Sequence, residues 1–323
     1  MFSKRKMLAL LFVLILGGPL AFAQQGWIAT RIAPPGQDLN TVYFRDDKRG
    51  WVGGDNGFLS RTDDGGRTWV QQVVGTSDAV NDVYFRDKEH GFLLAGNAIF
   101  GSRDRGTRWS EVRRFRPAEF EGATVELYSV RFASKKKGWV VGSVSRKDRV
   151  IDSILVYTDD GGATWRRQTA PSRLELIHID FDSDKRGWIV GAGGTIIKTQ
   201  DGGQTWISQT SGTNATLYNV NFRNDEKGWI VGERGTILRT TNGGDYWMPV
   251  PIDTRSTLLS VHFVNDKNGW VVGRGGTIFR TSDGGLSWIQ QESTVKDNFY
   301  SLYFNKNTGW AVGSDGVILR YER

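Results

Sequence analysis

Seven stretches of the chain share one spacing of apolar positions, apolar-x-x-apolar-x-Phe. Six begin at Leu39, Val80, Leu127, Leu176, Leu217 and Leu258 and end on Phe44, Phe85, Phe132, Phe181, Phe222 and Phe263; the seventh runs from Phe299 to Phe304. Each reads as a short strand. A charged turn follows, as in Asp182-Ser-Asp-Lys-Arg186, then a Gly-Trp and an apolar run, as in Gly187-Trp-Ile-Val-Gly191. A glycine turn leads to a third strand such as 194–198, and a fourth opens at Trp206. Four short strands in roughly 41 residues is the period of a propeller blade. The expected fold is therefore all-β: a seven-bladed β-propeller of four-stranded antiparallel blades over residues 24–323.

Between third and fourth strands lies a repeated turn, [Ser/Thr]-x-[Asp/Asn]-x-Gly-x-x-Trp. Its six copies are Thr62–Trp69, Ser102–Trp109, Thr158–Trp165, Thr199–Trp206, Thr240–Trp247 and Thr281–Trp288. Glycine supplies the positive φ that a tight hairpin needs. The acid and the hydroxyl can bond nearby backbone amides and close the turn on itself. Asp64, Asp104, Asp160, Asp201, Asn242 and Asp283 are accordingly read as structural. Asn242 in place of an acid suits a hairpin and would not suit acid–base chemistry. These turns resemble Asp boxes, the bacterial neuraminidase repeat found in β-propellers.

The thirteen tryptophans follow the same frame. Six follow the repeated Gly (Trp51, Trp139, Trp188, Trp229, Trp270, Trp310), with Phe92 in the remaining slot, and six close the box turns. The thirteenth, Trp27, takes a fourth-strand position with no blade before it. Because the seventh unit stops after its third strand at 317–320, residues 26–32 are expected to complete that blade. An open ring would leave strand edges unpaired.

The 41 glycines, 7 prolines and 12% aromatics suit short strands and tight turns. Residues 1–23 have the layout of a signal peptide: Lys4, Arg5 and Lys6, an apolar core from Met7 to Leu16, and Ala21-Phe-Ala23 before Gln24. Cleavage near Ala23 implies an exported protein of the periplasm or a thylakoid lumen; retention as an anchor is the alternative. With no cysteine, disulfides and a lipidated N-terminal Cys are excluded. Loss of three basic residues with the leader lowers the formal charge from +7 to +4, 39 Lys and Arg against 35 Asp and Glu. That excess does not argue for nucleic acid, though it leaves room for a local basic patch.

The repeat breaks twice around the third unit, between Trp109 and Leu127 and between Trp139 and Asp160. Meander topology places both inserted loops, Glu111–Glu126 and Ser143–Ser153, on the face opposite the boxes. Both carry clustered cations: Arg113, Arg114 and Arg116 in one, Arg146, Lys147 and Arg149 in the other. Arg173, Arg234, Arg255 and Arg274 belong to loops of the same face. Such a patch would attract an acidic peptide or an anionic surface, and Arg suits bidentate carboxylate binding. Neighbouring Glu119, Glu121, Asp148 and Asp152 could instead leave these as solvated loop charges.

A catalytic reading has little to stand on. A sialidase needs an arginine triad, a tyrosine nucleophile with a glutamate partner and an acid; Arg31-Ile-Ala-Pro34 only faintly matches the family's early motif. Most tyrosines, including Tyr43, Tyr84, Tyr128, Tyr218, Tyr300 and Tyr303, fall inside the inner-strand repeat, where packing explains them. A glycan-acting hydrolase with paired carboxylates is the alternative, with Asp55, Glu175, Glu233 and Asp315 as its candidates. The three histidines are too scattered for a metal motif, and no cofactor is expected.

The combination of Val-x-Phe, Gly-Trp-[Ile/Val]-Val-Gly, Gly-Thr-Ile-[Ile/Leu/Phe]-[Lys/Arg]-Thr and the box turn resembles the photosystem II stability/assembly factor family over nearly all of residues 27–323. The resemblance implies a seven-bladed, non-enzymatic propeller of the lumen or periplasm. It would bind a reaction-centre precursor through an arginine-rich face. A protein partner, a membrane-protein precursor or an exposed peptide segment, is expected, with peripheral membrane proximity and a monomeric state. Cyanobacterial members are typically lipoproteins; this chain lacks the required Cys.

Overall fold

The computed structural model describes residues 26–306 and 308–322; the expected leader and its cleavage point lie outside them. Seven four-stranded antiparallel sheets form, six of them contiguous in sequence. Blades 1 to 7 are numbered by their inner strands: Leu39–Phe44, Val80–Phe85, Thr124–Phe132, Leu176–Phe181, Leu217–Phe222, Leu258–Phe263 and Phe299–Phe304. Blade 7 takes its outer strand, Gly26–Arg31, from the amino end. That strand pairs antiparallel with Val317–Glu322, with Trp27 opposite Tyr321. The expected split blade is present.

The inner-strand spacing has a structural cause that alternation alone does not give. Each inner strand carries a register shift near its start, such as that between Leu39 and Thr41 or Leu258 and Ser260. The extra residue of a bulge turns two apolar positions three apart toward one core, so Leu39 and Val42 are both buried. It also aims polar side chains at the next blade's inner edge, where backbone amides would otherwise lack partners. Val42 N–H donates to Ser301 Oγ at 3.2 Å, Val130 N–H to Asp82 Oδ2 at 2.9 Å and Val261 N–H to Asn219 Oδ1 at 3.3 Å. One residue row further, Asp180 and Asn221 accept from the amides of Phe222 and Phe263 at 2.8 and 2.9 Å.

These rows line a central cavity of about 400 Å³ that includes Tyr43, Tyr84, Arg131, Asp180, His262 and Tyr303. Arg131 donates to Asp82 at 2.7 Å and meets His178 Nε2 at 3.2 Å. Burial, reinforced by Arg131, drives the His178 imidazole well below its ordinary pKa, and burial takes His262 to about 4. Both are neutral at pH 7. Desolvation pushes the Asp180 carboxyl up to about 6 despite the Phe222 amide and Arg131.

Blades meet through aromatic stacks. Trp51 lies on Phe85 with centroids 4.3 Å apart, Trp139 on Phe181 at 5.0 Å, Trp188 on Phe222 at 3.4 Å, Trp229 on Phe263 at 3.5 Å and Trp270 on Phe304 at 3.8 Å. Phe92 substitutes on Phe132 at 4.7 Å, and Trp310 closes the ring on Phe44 at 3.7 Å. The same Phe receives, edge-on, the Trp of its own outer strand, as Trp288 on Phe263 at 84° and Trp27 on Phe304 at 85°. A box glycine covers the stacked Trp: a Cβ on Gly285 (φ +77°) would sit 2.4 Å from Trp229 Nε1. Arg61 and Arg280, each just before a box turn, lie over these rings, Arg61 at 5.8 Å from Trp51 and Arg280 at 5.4 Å from Trp270.

Five of the six boxes close through one carboxylate. Asp283 accepts from the Thr281 hydroxyl at 2.7 Å, the Leu286 and Ser287 amides at 3.0 and 3.1 Å, and the Ser287 hydroxyl at 2.5 Å. Partial burial alone would raise its pKa, but these donors outweigh burial and hold it at about 2. The Thr68 hydroxyl and amide hold Asp64 far down in the same way. In the fifth box Tyr246 stands where four of the others have Thr or Ser, and Asn242 Oδ1 alone accepts from the Thr240 hydroxyl at 2.8 Å and the Tyr246 amide at 3.1 Å.

Two outcomes follow from this packing. Trp229→Ala should cost about 3–5 kcal/mol in chemical denaturation. Gly285→Ala should destabilise clearly more than Gly212→Ala, since both have positive φ but only Gly285 faces a ring, Gly212 having no heavy atom within 4 Å. The pH profile of the thermal midpoint should bend twice. His178 and His262 have depressed folded pKa values, so their stabilisation should be lost as pH falls below about 6.5, and Asp180, whose folded pKa is raised, opposes that loss below about 6. Box carboxylates have depressed folded pKa values, so their stabilisation, present above about pH 4, should be lost as pH drops toward 2. Asp180→Asn should steepen the first loss, and Asp283→Asn should soften the second.

Candidate functional site: a basic loop face

The two insertions form one module beside each other, as expected from topology. After the outer strand Ser110–Arg114, a 3-10 turn over Pro117–Phe120 folds back over blade 3. Phe115 and Phe120 are buried in one cluster with Ala123, Val125, Val144 and Ile154. The second insertion is a lengthened hairpin, Gly138–Arg146 and Arg149–Thr158, turning at Lys147 and Asp148, both with positive φ. Arg146 Nη2 donates to the Glu121 carbonyl at 3.0 Å and ties the two together.

The ten sequence-predicted cations all lie at this end, in two electrostatic states. Arg113 bonds Glu119 and stacks over Phe115 at 4.5 Å. Arg114 pairs with Glu111 at 2.9 Å and Asp78 at 3.3 Å. Arg146 is 3.7 Å from Glu121, and Arg173 is 3.6 Å from Asp152. Arg113 and Arg114 end a strand rather than belonging to a loop. By contrast Arg116, Lys147, Arg149, Arg234, Arg255 and Arg274 are exposed and form no side-chain ion pair with a described residue. Arg234 sits at the tip of a 3-10 turn, at φ +55°.

Three of the four carboxylates considered for hydrolysis, Asp55, Glu233 and Asp315, serve as caps. Asp55 accepts from the Asp38 amide at 3.1 Å and Asn40 at 3.3 Å. Glu233 accepts from the Thr216 amide at 3.1 Å and Tyr218 at 3.4 Å. Asp315 pairs with Arg31 at 3.0 Å and takes the Gly36 amide at 2.7 Å, locking the closing strand. Glu175 lends its carbonyl to the Ala192 amide at 3.0 Å. Among the described residues no group of three or more His, Asp or Glu could hold a metal ion, and no helix is long and apolar enough to cross a membrane. Sequence reasoning passed over the channel set Asp82, Arg131, His178 and Asp180; their departure from the Thr, Ser and Tyr of other blades was its available signal. It also passed over Val112, Val150, Ile151 and Leu174, exposed apolar residues around the insertions.

Comparison with curated proteins gives no sequence match. Solved structures share the fold. One titled YCF48 bound to D1 peptide superposes with a TM-score of 0.74 at 21% identity, covering 95% of this chain and all of that one. YCF48 from Cyanidioschyzon merolae gives 0.73 at 19% identity over 92% of this chain and 98% of that one. A catalytically inactive virginiamycin B lyase from Staphylococcus aureus with quinupristin gives 0.73 at 14% identity over 92% and 99%, so the architecture alone does not separate binders from enzymes. The sequence is decisive where the fold is not: the family model described as photosynthesis system II assembly factor YCF48 matches residues 70–175, 168–257 and 254–322, and the chain belongs to that family.

Proposed function

We propose that this protein is an exported, non-catalytic assembly or stability factor that holds an acidic polypeptide segment, of a membrane-protein precursor, on its basic loop face. The observation that carries this reading is the set of exposed cations without ion pairs, Arg116, Lys147, Arg149, Arg234, Arg255 and Arg274, at the end of the ring where the repeat is broken. Six of the seven blades repeat the box turn and all seven the stack, so packing explains those residues. It does not explain these six. The layout of residues 1–23 supports export to the periplasm or a lumen, and the D1 peptide in the solved YCF48 structure supports a polypeptide partner. The capping roles of Asp55, Glu233 and Asp315 speak against the glycan-acting alternative, since each is already committed to backbone or arginine donors.

Crosslinking from the native envelope would identify the partner. Arg116→Ser, Arg149→Ser, Arg234→Ser and Arg255→Ser combined should then weaken binding by about tenfold or more at low salt, with the thermal midpoint unchanged. Undiminished binding, or binding insensitive to salt, would count against the basic face. Turnover of a glycan that Glu233→Gln or Asp55→Asn abolishes would favour the hydrolase.

A further inference from the structure

Blade 3 has a strand edge that no other strand covers. Its third strand, Arg149–Thr158, has ten residues, while its outer strand is only Arg166–Gln168 and pairs with Leu155, Val156 and Tyr157. The chain then leaves the ladder through Pro171, which has no amide to donate. The last contact is the Ser153 hydroxyl on the Ser172 carbonyl at 2.6 Å. Beyond it, residues 149–152 have the hairpin partner on one side and, among the described residues, no strand on the other.

From this geometry we infer that the open edge at residues 149–152 receives a short extended peptide of alternating acidic and apolar residues as an added strand. The inference rests on the polypeptide-binding reading above and specifies its mode. Unpaired strand edges bind extended chains through backbone hydrogen bonds, with alternate side chains giving selectivity. Charge selects the occupant: Arg146, Lys147 and Arg149 crowd the hairpin end, and Arg173 already engages Asp152, the acid beside the edge. A second copy of this hairpin would set like charges against each other. Val150, Ile151 and Leu174, 36%, 38% and 50% exposed, offer apolar contacts to the alternate residues. The register shift between Val144 and Ser145 leaves Ile151 without a partner and bends the strand end. The slot therefore suits a short segment.

The test uses the intact protein and a (Val-Glu)4 octapeptide, with versions N-methylated at every valine or at every glutamate. Amides on one strand edge alternate, so one methylated peptide should lose more than about tenfold in affinity and the other should be retained. The unmodified peptide should slow hydrogen exchange at residues 149–152. Equal binding of all three peptides, or loss in both methylated forms without slowed exchange, overturns strand addition. The two readings fail separately. If the arginine variants bind normally, the basic face falls; if they fail while methylation has no effect, only the added strand falls.

Discussion

The ring depends on one joint made seven times: a flat aromatic of one blade lying on the terminal Phe of the next blade's inner strand. Centroid separations of 3.4–5.0 Å put each pair in direct contact, and Trp51, Trp188, Trp229 and Trp270 have no solvent exposure. Aromatic burial of this kind dominates core energetics. The box turn serves the joint. Its second glycine lets backbone come within reach of the indole, and the carboxylate fixes the turn that carries it. In the fifth box an amide replaces the carboxylate without altering the joint.

Because the joints and edge contacts use up the repeated residues, variation is confined to what lies outside them. Blade 3 shows this most plainly. Its inserted turn and long hairpin add a small core of Phe115, Phe120, Val144 and Ile154, on which cations are raised above the common level of the loops. A rigid base with a charged, lengthened strand end is suited to positioning a flexible partner.

The repeat made much of this legible. Trp27 betrayed the split blade because its spacing matched an outer strand, and the fixed Phe positions marked the joints. The bulge near the start of each inner strand was implicit in the Leu39–Val42–Phe44 spacing but is geometric, a matter of register that residue types alone do not fix. The division of the basic face was not legible either. Arg114 and Arg116 look alike in sequence, yet Arg114 meets Asp78 from 36 residues away while Arg116 meets no carboxylate through its side chain. Distant pairing, not local composition, decides which charge is spent. The channel cluster escaped for the same reason, since Asp82, Arg131 and His178 come together only through three adjacent blades.

The pairing of Gly26–Arg31 with Val317–Glu322 has a kinetic consequence. In a chain released amino end first, Gly26–Arg31 emerges well before the strand with which it must pair. Six blades can form from neighbouring sequence, but the circle cannot be joined until nearly the whole polypeptide is present. Closing so large a loop is slow relative to the local hairpins, although its entropy grows only gently with length. Until then two raw sheet borders are open to water, and the seam is the place where maturation of the molecule ends.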